Sequence, residues 1–365
     1  MTWLVLILIF GGLSLFAFSG RFSKRQMKTI TYVVLVLFAF FYEPSWRADM
    51  YRFREALEYM KEYGYEAAYA DLWYIYENSQ AFFGIMVVLS YLPIQLFFPI
   101  ALLSTYGIAL AIFFDITDSL ELTKYQYALV YSFFLCCVNF GIMFSIMRFF
   151  MAYLIGLAGI YMWFRKGATI RRRFLAVAMI ISATFIHTAG FLISAVWILT
   201  LLCYFKPMRI IAVIIPFSML FVEGIVNVTG SVFGDISLYN TIVDKFFHYS
   251  SHNYEEMFSR TRLFYYQLLT FIVIVYLITK IFKYENKQYV AFNIVYMLML
   301  SFTIAFIPNE TLFFRTLQIL FALSPMYFAV NKELLARSRV MQIGMLGECV
   351  IMLIFYGRLS TYYYL

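Results

Sequence analysis

The chain has 365 residues, of which 64% are hydrophobic and only 13% are charged, and its formal net charge is +8. Soluble domains carry about 25% charged residues, so this composition excludes a soluble globular protein. The apolar runs repeat at roughly the 20 residues that a helix needs to cross a bilayer, whereas barrel strands are about 10 residues long and alternate. The expected fold is therefore all-α, a polytopic transmembrane helical bundle that forms a single integral membrane domain over residues 1–365.

The apolar runs, taken in chain order, predict about 12 spans. In the first half of the chain they lie at about 2–19, 29–43, 95–114, 125–143 and 147–164. A run of 32 apolar residues at 174–205 is interrupted by "HTAG" and predicts two short helices that meet at His187–Gly190. Further spans are expected at about 209–227, 263–282, 289–307, 311–330 and 340–357.

Two polar segments, 44–80 and 228–262, are expected as external loops. The first is rich in aromatic residues, and Phe53, Leu57 and Met60 have helical spacing within it. Two interpretations remain open: an amphipathic interfacial helix with an aromatic belt, or a platform on which sugar rings stack while carboxylates accept from hydroxyls. Residues 81–93 are apolar but too short for a span, so they are expected to be re-entrant or interfacial.

The basic residues indicate the orientation. If the N-terminus is outside, five loops that hold 17 of the 28 Lys and Arg residues lie inside, as the positive-inside rule requires. These loops are "RFSKRQMK", "RKGATIRRR", "KPMR", the 280–287 loop and "NKELLARSR". The net charge is thereby explained without a nucleic-acid partner, and both ends of the chain are expected outside.

Several arginines fall on the external side, where this rule does not favour positive charge. Arg148 and Arg315 stand at the outer ends of apolar helices, and Arg47, Arg260 and Arg262 lie in the external loops. Each alone fits a side chain that snorkels to the interface. Together they predict a shared anion, because a guanidinium binds diphosphate oxygens through two parallel hydrogen bonds.

His187 is the only histidine within an apolar run. It is interpreted either as a base or substrate-holding group at the outer end of a broken helix, or as a polar residue between packed helices. The sequence contains neither a "GxxxxGK" nor an "HExxH" motif, and its four cysteines lie in apolar runs. No metal and no cofactor is therefore expected.

The stretch "IMRFFMAYLIGLAGIYMWFRKGATIRRRFLAVAMIISATFIHTAGFLI" resembles the central region of EpsG/Wzy-type polysaccharide polymerases. In that family an Arg opens a helix, an Ala follows, and the next helix ends in a His before a turn of small residues. Arg148, Ala152 and His187 fit this pattern. Phe149 departs from it, because the residue after the Arg is usually Gln.

Two further stretches are similar to the same family. "WRADMYRF", with Arg47, Asp49 and Tyr51, is similar to its first external loop. "NETLFFRTLQILFALSP", with Glu310 and Arg315, resembles its late Arg-bearing helix. The likeness touches most of the chain through scattered residues in the same order.

The resemblance implies a polymerase in the bacterial cytoplasmic membrane that joins undecaprenyl-diphosphate-linked repeat units on the external face, without metal or nucleotide. It implies that Arg148 and Arg315 hold the diphosphate and that His187 is a base or positions the substrate. The implied substrate-binding residues are Arg47, Asp49, Tyr51, Arg260, Arg262 and Glu310. A flippase and a chain-length regulator of the same pathway are the implied protein partners.

Two other functions remain as alternatives. A lipid-linked oligosaccharide flippase would need a cationic cavity open to each side in turn, whereas the external arginines lie on one side. A membrane acyltransferase that decorates a glycan would be expected to carry a key His early, whereas the first 186 residues contain none.

Overall fold

The computed structural model of the protein describes residues 2–44, 49–138, 140–203, 215–216, 289–306, 310–337 and 339–359. The described residues are almost entirely helical and contain no strand. The first helices are α1 (Thr2–Ser19), α2 (Lys24–Phe40), α3 (Asp49–Tyr76), α4 (Gln80–Ser90), α5 (Phe97–Ser104), α6 (Tyr106–Asp118), α7 (Lys124–Cys137) and α8 (Phe140–Ser145). They are followed by α9 (Met147–Phe164), α10 (Ile170–Ile186), α11 (Gly190–Leu202), α12 (Val290–Ala305), α13 (Glu310–Val330), α14 (Lys332–Arg337) and α15 (Arg339–Leu359).

Three stretches are long and apolar enough to cross a membrane: Ile94–Asp118, Met147–Phe164 and Leu312–Val330. They correspond to the predicted spans 95–114, 147–164 and 311–330. Shorter apolar helices occur at Leu4–Ser19, Gln80–Ser90, Gly190–Leu202, Val290–Ala305 and Met341–Leu353. The predicted spans 209–227 and 263–282 and the predicted loop 228–262 lie outside the described residues, so the count of about 12 spans stays a prediction.

The chain divides into two compact units. The first contains Met1–Ala195 and Phe328–Leu365, and the second contains Val196–Tyr327. The single domain expected over residues 1–365 stays a prediction.

Helices α9 and α10 form a closely packed antiparallel pair within the first unit. A Cβ atom on Gly159 would lie 2.7 Å from the carbonyl oxygen of Ala176, so only a glycine permits this approach. Small residues allow membrane helices to approach in the same way. Because the pair is antiparallel, the beginning of α9 and the end of α10 lie at the same end of the unit.

The predicted interruption of the 174–205 run is confirmed. Helix α10 ends at Ile186, His187 takes an extended conformation (φ −160°, ψ 145°), and α11 begins at Gly190. A Cβ atom on Gly190 would lie 2.3 Å from the carbonyl carbon of Ala183, so the turn places the start of α11 directly against α10.

The span predicted at 125–143 is shorter in the structure. Helix α7 ends at Cys137 because Val138 is extended (ψ 98°), and α8 contributes one further short turn before α9. The stretch "CVNFG" contains Asn139 and Gly141, two residue types common in turns and at helix ends, so the sequence carries a weak signal of this break.

Basic side chains join the loops at the opposite end of the first unit from His187. Lys24 Nζ donates a hydrogen bond to the Thr117 carbonyl at 2.7 Å, and Lys332 Nζ donates to the Glu121 carbonyl at 2.8 Å. Two further contacts join these loops, Lys124 to the Gly20 carbonyl and Arg165 to Asp115. Loops that the charge pattern assigns to the cytoplasm therefore share one end of the unit.

Helix α3 is two helices joined at a reversal. Gly64 has φ 81° and ψ −179°, a conformation that is essentially confined to glycine. The Tyr59 hydroxyl donates a hydrogen bond to Asp71 across this reversal, so the two halves form a hairpin. Phe53, together with Leu57 and Met60, lies on its buried face, as the helical spacing predicted.

Helix α4, within the segment predicted to be re-entrant or interfacial, packs against this hairpin. The rings of Phe53 and Phe82 lie 5.2 Å apart, and both side chains are buried. With 11 residues, α4 is shorter than the roughly 20 that a span needs.

Candidate functional site

Arg148, the second residue of α9, lies in a cage of three aromatic rings. Its guanidinium carbon stands 5.5 Å from the ring centroid of Phe53, 5.4 Å from that of Tyr76 and 5.8 Å from that of Phe82. Two of the rings come from the α3 hairpin and the third from α4. A guanidinium within about 6 Å of an aromatic centroid is attracted by the negative face of the ring. The cage therefore holds the half-buried side chain of Arg148 in place at the start of α9.

The cage supplies attraction but few hydrogen-bond acceptors. In the described part of the chain, no carboxylate lies within ion-pair distance of Arg148. A guanidinium carries five N–H donors in a planar fork. The oxygens of a diphosphate match that fork.

Tyr76 is the polar member of the cage, and Asp49 lies close enough to affect its charge state. Burial raises the pKa of the Tyr76 phenol, the positive charge of Arg148 opposes this, and the negative charge of Asp49 adds to the rise in pKa. Both charges thus act on the same hydroxyl group. Because the phenol stays protonated at neutral pH, Tyr76 is a hydrogen-bond donor next to Arg148. Asp49 is half-buried and lies 3.5 Å from Arg52.

His187 lies at the same end of the α9–α10 pair as Arg148. Its ring meets that of Phe149, the neighbour of Arg148, edge to face with centroids 5.8 Å apart. The backbone N–H of Ala189 donates to His187 Nδ1 at 3.0 Å. In the neutral ring the proton is then on Nε2. The base role and the positioning role of His187 both stay predictions.

The departure of Phe149 from the family pattern has a structural counterpart. Its side chain is buried and also stacks on Tyr153 with centroids 5.8 Å apart. An amide at this position would offer hydrogen bonds to its surroundings, whereas the phenyl ring offers only packing against the imidazole. The Ala189 N–H and the Phe149 ring therefore both contact the His187 imidazole.

The other predicted site residues are distributed as follows. Tyr51 lies half-buried on α3, two residues after Asp49. In the second unit, Glu310 begins α13 and Arg315 is half-buried on the same helix. Three residues after Arg315, the buried amide of Gln318 makes no hydrogen bond with any described residue. Among the predicted site residues, Arg47, Arg260 and Arg262 lie outside the described residues.

The aromatic cage around Arg148 was not predicted from the sequence. The spacing of Phe53 indicated a buried face, but nothing in it indicated that the face would cover an arginine from a helix about 95 residues later. Tyr76 and Phe82 carried no signal beyond the aromatic richness of the segment. Only the packing of α3 and α4 over the start of α9 brings these side chains together.

Comparisons with protein family models, with curated proteins and with solved structures gave no match for this chain.

Proposed function

We propose that the protein is a multi-pass polysaccharide polymerase of the bacterial cytoplasmic membrane, with about 12 spans. It joins undecaprenyl-diphosphate-linked oligosaccharide repeat units on the external face, into exopolysaccharide, capsule or O-antigen. The observation that carries the proposal is the caged Arg148, with His187 at the same end of the α9–α10 pair and the basic loops at the opposite end of the first unit. A diphosphate is an anion that such a fork fits.

In the proposed reaction, a hydroxyl oxygen of the non-reducing end of one unit attacks the anomeric carbon of the sugar on the other lipid. The bond from that carbon to the diphosphate oxygen breaks, and the lipid diphosphate leaves with the electron pair. Arg148 stabilises the charge that develops on the diphosphate, as preorganised cations do at phosphoryl groups. Tyr76 and His187 Nε2 donate hydrogen bonds to the same group.

The hydroxyl proton needs an acceptor, and the half-buried carboxylate of Asp49 lies one helical turn before Phe53 of the cage. Asp49 therefore receives the proton in this proposal. Arg315 binds a lipid diphosphate in this proposal, as the family resemblance implies, and the remaining external residues (Arg47, Tyr51, Arg260, Arg262 and Glu310) bind the glycan or its diphosphate. The reaction uses no nucleotide, and a flippase that delivers each unit and a chain-length regulator are the expected partners.

Deletion of the gene followed by analysis of lipid-linked glycans tests the proposal. Single repeat units that accumulate on the lipid, with no polymer, would support it. Complementation with wild type must restore the polymer, whereas Arg148→Ala must not. Loss of every external glycan-lipid would favour the flippase, and polymer of normal length without acyl groups would favour the acyltransferase.

A further inference from the structure

A row of aromatic side chains, two exposed and one half-buried, runs along the second half of the α3 hairpin. The ring centroids of Tyr65 and Tyr69 are 5.9 Å apart, and those of Tyr69 and Trp73 are 5.0 Å apart with the planes inclined by 28°. Tyr65 and Tyr69 expose 52% and 45% of their surfaces. All three rings also contact the ring of Phe83 on α4, so the row packs against that helix.

The row ends at the candidate anion site. Tyr76, one turn after Trp73, contacts both Phe83 and the guanidinium of Arg148. At about 1.5 Å per residue, the distance from residue 65 to residue 76 is about 16 Å along the helix. That is the length of an oligosaccharide of a few sugar residues. The row therefore leads from the exposed tip of the hairpin, near Gly64, to the cage.

The charge of the hairpin distinguishes between possible occupants. Residues 49–77 contain seven acidic and three basic side chains, a net charge of −4 within a chain of net charge +8. Glu62 and Glu66 are exposed carboxylates close to the row in sequence, whereas the carboxylate of Asp71 accepts the hydrogen bond from Tyr59. Carboxylates accept hydrogen bonds from sugar hydroxyl or ammonium groups, but they repel phosphate. An anionic lipid headgroup is thus a poor occupant, and a neutral or amino-sugar glycan is a good one.

We propose that Tyr65, Tyr69 and Trp73 form a saccharide-binding track that delivers a neutral or amino-sugar oligosaccharide to the Arg148 cage. This inference rests on the proposed function, because it assigns the glycan part of the same substrate. Tyrosine and tryptophan suit this role, since each combines a large apolar face with a polar group that tolerates water. The acidic side chains at the edges fix the sugar hydroxyls, while the diphosphate is left to Arg148.

The test is binding of saccharide without catalysis. Full-length protein in phosphatidylcholine nanodiscs is immobilised and exposed to the oligosaccharides that mild acid releases from the lipid fraction of the native cells, which carry neither lipid nor phosphate. Wild type and Arg148→Ala are expected to retain them. Tyr69→Ala combined with Trp73→Ala is expected to lower retention by about tenfold, since two stacking surfaces are lost.

Tyr74→Ala is the matched control. Tyr74 is on the same helix and 75% exposed, but it makes no ring contact with any described residue. The control is expected to retain saccharide as wild type does. No retention by wild type, or equal retention by the double variant, would overturn the track. A double variant that retains saccharide but inserts poorly into membranes would identify the row as an interfacial belt. Polymer made by Arg148→Ala would instead refute the proposed function and leave the track standing.

Discussion

At the scale of single residues, the candidate site is built on the attraction between a cation and ring faces. Cation–π contacts are worth about 0.5–1 kcal/mol each at exposed sites and about 2 kcal/mol or more when desolvated. Three of them hold the guanidinium of Arg148 without an ion pair to any carboxylate of the described residues. A salt bridge would have fixed it as well, but would have consumed the hydrogen bonds that an anionic substrate needs.

Arg148→Lys is therefore expected to abolish most polymer although the charge is kept, because lysine is a point charge that cannot fork onto a diphosphate. Polymer is measured at equal protein level. Arg173→Lys is the control, since the Arg173 guanidinium also lies over a ring, that of Trp163 at 5.7 Å, but at the end of the basic loops. Wild-type polymer from the Arg148→Lys protein would reduce Arg148 to an interfacial anchor.

His187 is expected to work as a donor. His187→Gln should keep a measurable fraction of activity, because its amide also donates, whereas His187→Leu should lose nearly all of it at similar abundance. Activity per molecule is compared across pH 5 to 8, where an ordinary histidine titrates. Equal loss in both variants, together with wild-type activity that falls as the pH drops through the histidine pKa, would restore the base role.

The candidate site residues were predictable from the sequence only one at a time. The isolated charge of Arg148 in an apolar run and the small residues after His187 were visible in the sequence, and they do lie at one end of the unit. The ring cage was not predictable, because it depends on how the α3 hairpin turns at Gly64. Aromatic composition alone does not distinguish a ring that contacts an arginine from one that faces lipid.

At the scale of elements, the α3 hairpin supplies both the cage and the proposed track. Its reversal depends on Gly64, whose φ of 81° is unfavourable for any residue with a Cβ atom. The break at His187 was predictable from an apolar run too long for one span. The hairpin was not, because a lone glycine in a helical pattern more often leaves the helix intact.

Gly64→Ala is expected to strain the reversal by about 1–3 kcal/mol and to loosen the hairpin. External protease should then cleave within residues 58–70 faster than in wild type, and polymer yield should fall. Gly84→Ala in α4 is the control, since a Cβ atom there meets nothing within 4 Å. Unchanged cleavage of the Gly64→Ala protein would show that the hairpin does not depend on this glycine.

At the scale of the whole molecule, the separation of charge is the feature that gives the proposed function its direction. Within the first unit, the basic loops meet at one end and Arg148 and His187 lie at the other. Because these loops share an end, the orientation of one fixes the orientation of the unit. The positive-inside rule assigns that end to the cytoplasm, and the cage then faces outward.

Labelling of single cysteines tests this orientation in a background that lacks the four native cysteines, those at positions 136, 137, 203 and 349. Glu55→Cys on α3 and Lys166→Cys in the α9–α10 loop are the two test positions, and both native side chains are exposed. An impermeant maleimide should label the first in intact cells and the second only after permeabilisation.

The reverse pattern would place the Arg148 cage at the cytoplasmic face, where polymerisation of externally presented units cannot occur. The proposed function would then fail, because the site and the substrate would lie on opposite sides of the membrane.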